Sequence, residues 1–326
     1  MLQCSNFFLP SDENDKYSTM QLLRIVEKQR SALTDDTVRL EVVLDDYCLL
    51  LAIQIHSTMQ DLKLVQESQG LGLSTYPCHL CDASREDIRN ILKIKEGFPI
   101  NRTQEKLQMA ADIARINPQK LSKEQLGPIL KGSKAPPLSS SSKSVLENSF
   151  EPLHFKLSIA RWVRNIMIRI NAGLFVWNIE ANLKQLFTAH EYELDKGLRR
   201  LLGIQTRLQI QGNEASKMLS SNNIEEMMML VTNKEQQSNM RILLGEISFL
   251  NSVVQSMNPK ETYSLAEFHQ RAVGLQEFLL TRMVWVNFPD YVHIALCHTV
   301  EILGQKDSIG KYGAQAKEGK NKLVQG

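Results

Sequence analysis

Two short motifs far apart in the chain constrain its fold more than any other feature of the sequence. One is Tyr76-Pro77-Cys78-His79-Leu80-Cys81, and the other is the pair His293 and His298. Two cysteines at this spacing form a knuckle from which both sulfurs reach one tetrahedral ion at about 2.3 Å, and a histidine pair completes such a set. Two thiolates and two neutral imidazoles fill four positions and leave none for water, so the reading is structural zinc. A fold that satisfies it must bring a C-terminal helix back onto an early loop. A redox C-x-x-C would need a surrounding βαβ pattern, which the sequence lacks. A zinc deaminase would need His-x-Glu upstream. The histidine that precedes the knuckle is His56, and Ser57-Thr58 follow it.

Apart from these motifs the sequence is that of an ordinary globular chain. The 38 basic and 36 acidic residues give a net charge of +2, so contact with nucleic acid must come from local patches. Five unevenly spaced cysteines and the lack of a basic-then-apolar leader point to a reducing, intracellular compartment. The longest apolar runs, Cys48 to Ile53 and Phe278 to Val286, fall short of the roughly 20 residues of a membrane helix, so no membrane partner is expected.

Periodicity predicts a mainly α chain with a small β hairpin or sheet. Thr37 to Leu44 alternates β-branched and charged residues, Tyr47 to Ile55 is a short apolar run, and Asp45-Asp46 is the turn between them. Tyr17 to Arg30 fits a helix beside that hairpin. From Ser84 onward helical spacing dominates, with predicted helices at 85–95, 104–115, 123–130, 157–170, 177–202, 223–231, 237–256, 265–284 and 291–303. Lys134 to Ser144 joins two prolines to five serines and reads as a flexible connection. The expected division is 1–76, then 77–305 with the linker 134–144, then a C-terminal segment 306–326. Both ends read as cuts through a larger fold.

A set of short strings carries a resemblance. Asp61-Leu62-Lys63-Leu64-Val65 comes first, followed by Cys78-His79-Leu80-Cys81-Asp82-Ala83-Ser84-Arg85 and the two histidines. Asp307-Ser308-Ile309-Gly310 and Glu318-Gly319-Lys320-Asn321-Lys322-Leu323 complete the set. In this order the chain resembles the V(D)J recombination-activating protein family and, more remotely, the Transib transposases. The likeness runs from about Phe8 to the end and thins between Arg85 and Leu201.

The resemblance implies a partial RNase H-like fold with a large helical zinc-binding insertion, in a DDE recombinase that cleaves and joins DNA. Asp61 matches the second catalytic aspartate and Glu318 the catalytic glutamate, which would hold Mg²⁺ or Mn²⁺. Cys78, Cys81, His293 and His298 match the zinc ligands. Two metals about 3.5–4 Å apart activate the attacking oxygen and stabilise the leaving one. The first family aspartate has no match in the residues before Asp61, so the two acids are expected to be incomplete for cutting DNA on their own. Lys156 stands where relatives tend to carry an acid. The segment from Gly212 to Lys217 resembles one that lies near DNA, although Gly212-Asn213 alone reads as a turn and helix start. Lys217, Lys317, Lys320 and Lys322 are candidate phosphate contacts, with a solvated face as the ordinary explanation. The implied partners are DNA, a second copy of the chain and a RAG2-like subunit, and the implied location is the nucleus. The competing reading is a noncatalytic, zinc-stabilised helical module, a transposon relic that binds DNA or protein.

Overall fold

The alternating sequence of strand β1 (Arg39–Leu44) pairs antiparallel with the apolar strand β2 (Tyr47–Ala52), in a register that opposes Arg39 to Ala52 and Leu44 to Tyr47. The computed structural model describes residues 39–44, 47–52, 58–60, 65–66, 69–72, 75–116, 121–135, 137, 148–150, 152–176, 179–205 and 208–310. A second pair was not expected from the sequence. Strand β3 (Thr58–Gln60) runs parallel to β4 (Asn148–Phe150), with Gln60 opposite Phe150. Three residues are too few to show a period. A parallel pair needs a long crossover, and here the crossover contains the cysteine knuckle.

Helices make up most of the remainder. They are α1 (Ile91–Glu96), α2 (Gln104–Ile116), α3 (Lys123–Leu130), α4 (Pro152–Asn171), α5 (Lys184–Leu202), α6 (Gly212–Met218) and α7 (Ile224–Met229). After these come α8 (Lys234–Gln255), α9 (Pro259–Thr262), α10 (Leu265–Arg282), α11 (Asp290–Cys297) and α12 (Thr299–Gln305). Among the described residues, no helix is long and apolar enough to cross a membrane.

Helix α4 is the hub. Phe155, Ile159, Val163, Ile166, Met167 and Ile170 are buried along one face, and Leu153, Ala160 and Ile168 extend the burial around it, leaving a narrow exposed strip at His154, Arg161 and Asn165. A helix covered over so wide an arc must lie among other helices. It packs on α5, α6, α8 and α11. Arg164 leaves this apolar surface in a two-pronged bond to Asp195 at 2.7 Å and 2.7 Å and a third to Glu191 at 2.9 Å, which fixes α5 in place. Lys156 is also buried, and its ammonium donates to Ser216 Oγ at 2.9 Å, joining α4 to α6.

Helix ends differ from expectation where local side chains intervene. The predicted helix 85–95 is interrupted at Asn90, whose carboxamide oxygen accepts from the amides of Leu92 and Lys93 and so starts a new helix. The predicted helix 177–202 begins only at Lys184, after a short 3₁₀ turn at Ala181–Leu183. The start of the Pro/Ser linker is anchored: the amides of Lys134 and Ala135 both donate to Gly70 O. Most of the linker and the predicted helix 17–30 lie outside the described residues.

The Asp-Ser-Ile-Gly string docks on the end of α8. Ser308 Oγ donates to Ser256 O at 2.6 Å, and Ile309 is buried. A Cβ on Gly310 would lie 2.5 Å from Gln255 O and 2.6 Å from Ser256 O, both backbone atoms that cannot swing away. Gly310→Ala is therefore expected to cost about 1–3 kcal/mol. Gly274→Ala, on a helix surface with nothing within 4 Å, should instead stabilise by about 0.5–1 kcal/mol. Urea unfolding of both variants checks the opposite signs.

Candidate metal centre

The knuckle is built by backbone geometry. The Leu80 amide donates to Cys78 Sγ at 3.3 Å, and the amides of Asn101 and Arg102 both donate to Leu80 O. Arg102, itself buried, sends Nε to Cys81 O at 2.8 Å and Nη2 to Lys131 O at 2.7 Å. Asn101 closes the other side through paired bonds with Asp82. These clamps hold two sulfurs at the surface of the hydrophobic core.

The histidines arrive on α11 and its continuation. In an unbroken helix, residues five apart would point about 140° away from each other. The chain avoids this by breaking at His298, whose φ of −118° and ψ of −10° end α11 and start α12. The two imidazoles consequently meet edge to face, with centroids 5.1 Å apart. Asp290, the first residue of α11, positions that helix against the earlier chain. Its carboxylate meets Arg85 Nη2 at 3.2 Å and Gln66 Nε2 at 3.5 Å, and the same Gln66 nitrogen donates to Pro77 O. Burial pushes the Asp290 carboxyl upward despite Arg85.

Four ligand atoms of Cys78, Cys81, His293 and His298 lie within 4.8 Å of one another, and all four residues are buried. Cys78 Sγ is 3.4 Å from His298 Nε2, and Cys81 Sγ is 3.4 Å from His293 Nε2. At usual bond lengths, a sulfur and a nitrogen on one tetrahedral zinc lie about 3.5 Å apart. The donor set therefore fits zinc in type, number and spacing. His79, although buried between the cysteines, is not part of the cluster.

Electrostatics set the four donors against one another. Burial pushes the Cys78 thiol up, but the bond from Cys81 and the adjacent imidazoles outweigh it and hold Cys78 well below the ordinary thiol value. The Cys81 thiol goes the other way, raised by its bond to Cys78 and by burial. Burial alone would lower His298, yet the Cys78 thiolate and Glu301 raise it to about 9. Four donors packed this closely hold protons beside negative charge, a conflict that a divalent cation would remove.

Of the other sequence candidates, Lys217 lies in α6, where its ammonium donates to Leu202 O at 2.9 Å. Gly212 is the first residue of that helix, which Glu214 helps to start by accepting from the Gln211 amide at 3.2 Å. Asp61, Lys317, Glu318, Lys320 and Lys322 lie outside the described residues. Sequence reasoning missed the groups behind the ligands: Asn101, Arg102, Asp290, Cys297 and Glu301. Cys297 and Glu301 carried a usable signal, four residues after one histidine and three after the other, the helical spacing that places side chains together.

Three family models match successive parts of the chain. They are the Recombination-activation protein 1 (RAG1) RNase H domain over residues 7–76, its ZnC2 domain over 76–141 and its ZnH2 domain over 148–308. V(D)J recombination-activating protein 1 of Oryctolagus cuniculus is 26% identical over 322 residues, covering 96% of this chain and 30% of the relative. The proteins of that name from Xenopus laevis and Oncorhynchus mykiss are 25% and 24% identical, over 96% of this chain. The chain spans about 30% of the length of these relatives.

Proposed function

The chain belongs to the V(D)J recombination-activating protein 1 family, and from that premise we propose that it carries part of a DNA recombinase core held in shape by one structural zinc. The observation that supports this most directly is the four-ligand pocket. Its cysteines lie in the stretch matched by the ZnC2 model and its histidines in the stretch matched by the ZnH2 model. The ion would supply a cross-link between these two stretches, with no position open for chemistry.

In this reading residues 1–76 form part of an RNase H-like fold, 77–305 a helical insertion and 306–326 a segment that returns Glu318 to Asp61. Asp61 follows directly on β3 in sequence, and β3 is one of a parallel strand pair. In this reading Asp61 lies at the end of that strand, as a metal-binding carboxylate of a partial RNase H-like fold would. Hard carboxylate oxygens there suit Mg²⁺ or Mn²⁺ and phosphodiester cleavage. Lys317, Lys320 and Lys322 would meet DNA phosphates, and Lys217 would join them by leaving the Leu202 carbonyl. A nuclear location, a second copy of the chain and a RAG2-like subunit follow from the same reading. Divalent-metal-dependent nicking of plasmid DNA by the wild type, lost in Asp61→Asn and Glu318→Gln, tests the recombinase function and would mean that a further carboxylate replaces the unmatched first aspartate. No nicking by any form would leave a zinc-stapled, catalytically incomplete part of the core.

The pocket electrostatics give the zinc a distinct signature. Cys81 is pushed up by its bond to Cys78 and by burial, and His298 is raised to about 9, so zinc binding should release protons. Affinity should then fall as the pH is lowered through the neutral range. Titration calorimetry in buffers of different ionisation enthalpy counts the protons, and a count near zero would contradict the ligand assignment.

A further inference from the structure

We propose that Glu301 is the positioning carboxylate of this metal centre, holding His298 in its ligating tautomer and locking the loop at residues 98–101 over the histidine pair. The inference rests on the zinc reading above. One carboxylate oxygen, Oε2, lies 3.3 Å from His298 Nδ1, the ring nitrogen turned away from the sulfurs. An acceptor there keeps the proton on Nδ1, which frees the Nε2 lone pair for the ion and makes it a stronger donor.

The second oxygen, Oε1, accepts from the Ile100 amide at 3.4 Å. That amide belongs to the loop that places Phe98 edge-on against His293, at 5.4 Å between centroids. The loop is fixed at one side by Gly97, which leaves α1 at a φ of +83°, and at the other by the Asn101 and Arg102 amides on Leu80 O. Glu301 therefore touches both parts of the pocket, a ligand and the loop that covers its neighbour.

His293 is served differently. Its Nδ1 lies 3.3 Å from Cys297 Sγ, and that thiol donates onward to Gln276 Oε1 at 3.4 Å. Sulfur is a weak acceptor, and two ligand thiolates already balance a divalent ion. Glu301 is the carboxylate in direct contact with an imidazole, while Asp290 acts on His293 only through space, so the two outer partners should differ in effect.

The test uses the full chain loaded with zinc or with cobalt. Glu301→Gln keeps an oxygen for the Ile100 amide but removes the charge. It is expected to weaken zinc binding by about 10–100-fold in chelator competition, shift the cobalt ligand-field bands and lower the melting temperature of the zinc-loaded form alone. Glu301→Asp should recover part of the affinity, and Cys297→Ala should lose less than Glu301→Gln. Unchanged affinity and cobalt spectrum in Glu301→Gln would overturn the proposal. So would equal lowering of melting temperature with and without zinc, because the contact would then be a plain structural tie. Wild-type chain that binds no zinc at all would refute the zinc reading itself, before any variant is compared.

Discussion

Cys78→Ser protein is expected to purify with under about a tenth of the zinc of the wild type and to lose roughly 4 kcal/mol or more of stability, the range reached when a structural metal is removed. Zinc-finger peptides take their whole folding energy from the ion, about 10–16 kcal/mol. This chain should lose less, because α4 and its neighbours form an apolar core of their own. The loss should also be local. Amide exchange should accelerate across residues 76–102 and 290–305, where the knuckle, the loop and both histidines meet, while the centre of α4 and α8 stays protected. His298→Ala should give the same pattern, since one missing ligand leaves three buried polar groups in conflict. Full zinc content in Cys78→Ser would show that the pocket is not the zinc site.

The same pocket shows which parts of the structure were legible beforehand. Cysteine and histidine spacing picked out the four residues that the fold brings together, because metal chemistry restricts residue type and local separation strongly. Period 3.6 identified α2, α3 and α8 within a few residues, because each presents one regular apolar stripe. The same rule predicted a continuous helix over 291–303, and it failed there. The break at His298 is a single backbone change, and it is what brings the imidazoles together. Asn90 divided another predicted helix for a similarly local reason. Strands β3 and β4 were invisible because each draws its stability from a partner about ninety positions away and not from its own composition. Arg102 and Asp290 carry no sequence pattern that marks them; only the fold sets them beside a carbonyl cluster and at a helix start.

Where a further carboxylate stands in for the unmatched first aspartate, plasmid nicking in Mn²⁺ is expected to fall by on the order of 10³-fold in Asp61→Asn or Glu318→Gln, since each change removes a charged ligand from a site that works through metal-bound oxygen. Zinc content should stay at the wild-type level in both variants, which separates loss of the catalytic metal from loss of the fold. Cys78→Ser should reduce nicking too, by another route. The string Asp307 to Gly310 lies a few residues after His298 and docks on the end of α8, so release of the histidine helix would free the segment that leads to Glu318. A second-site signature follows: high Mn²⁺ should partly rescue a weakened carboxylate site but not Cys78→Ser, whose carboxylates are intact and misplaced. Nicking that persists unchanged in Asp61→Asn and Glu318→Gln would assign the cutting to other groups. Zinc-loaded wild type that binds DNA without nicking it would make the chain a zinc-stabilised binding module, because the pocket alone performs no cleavage.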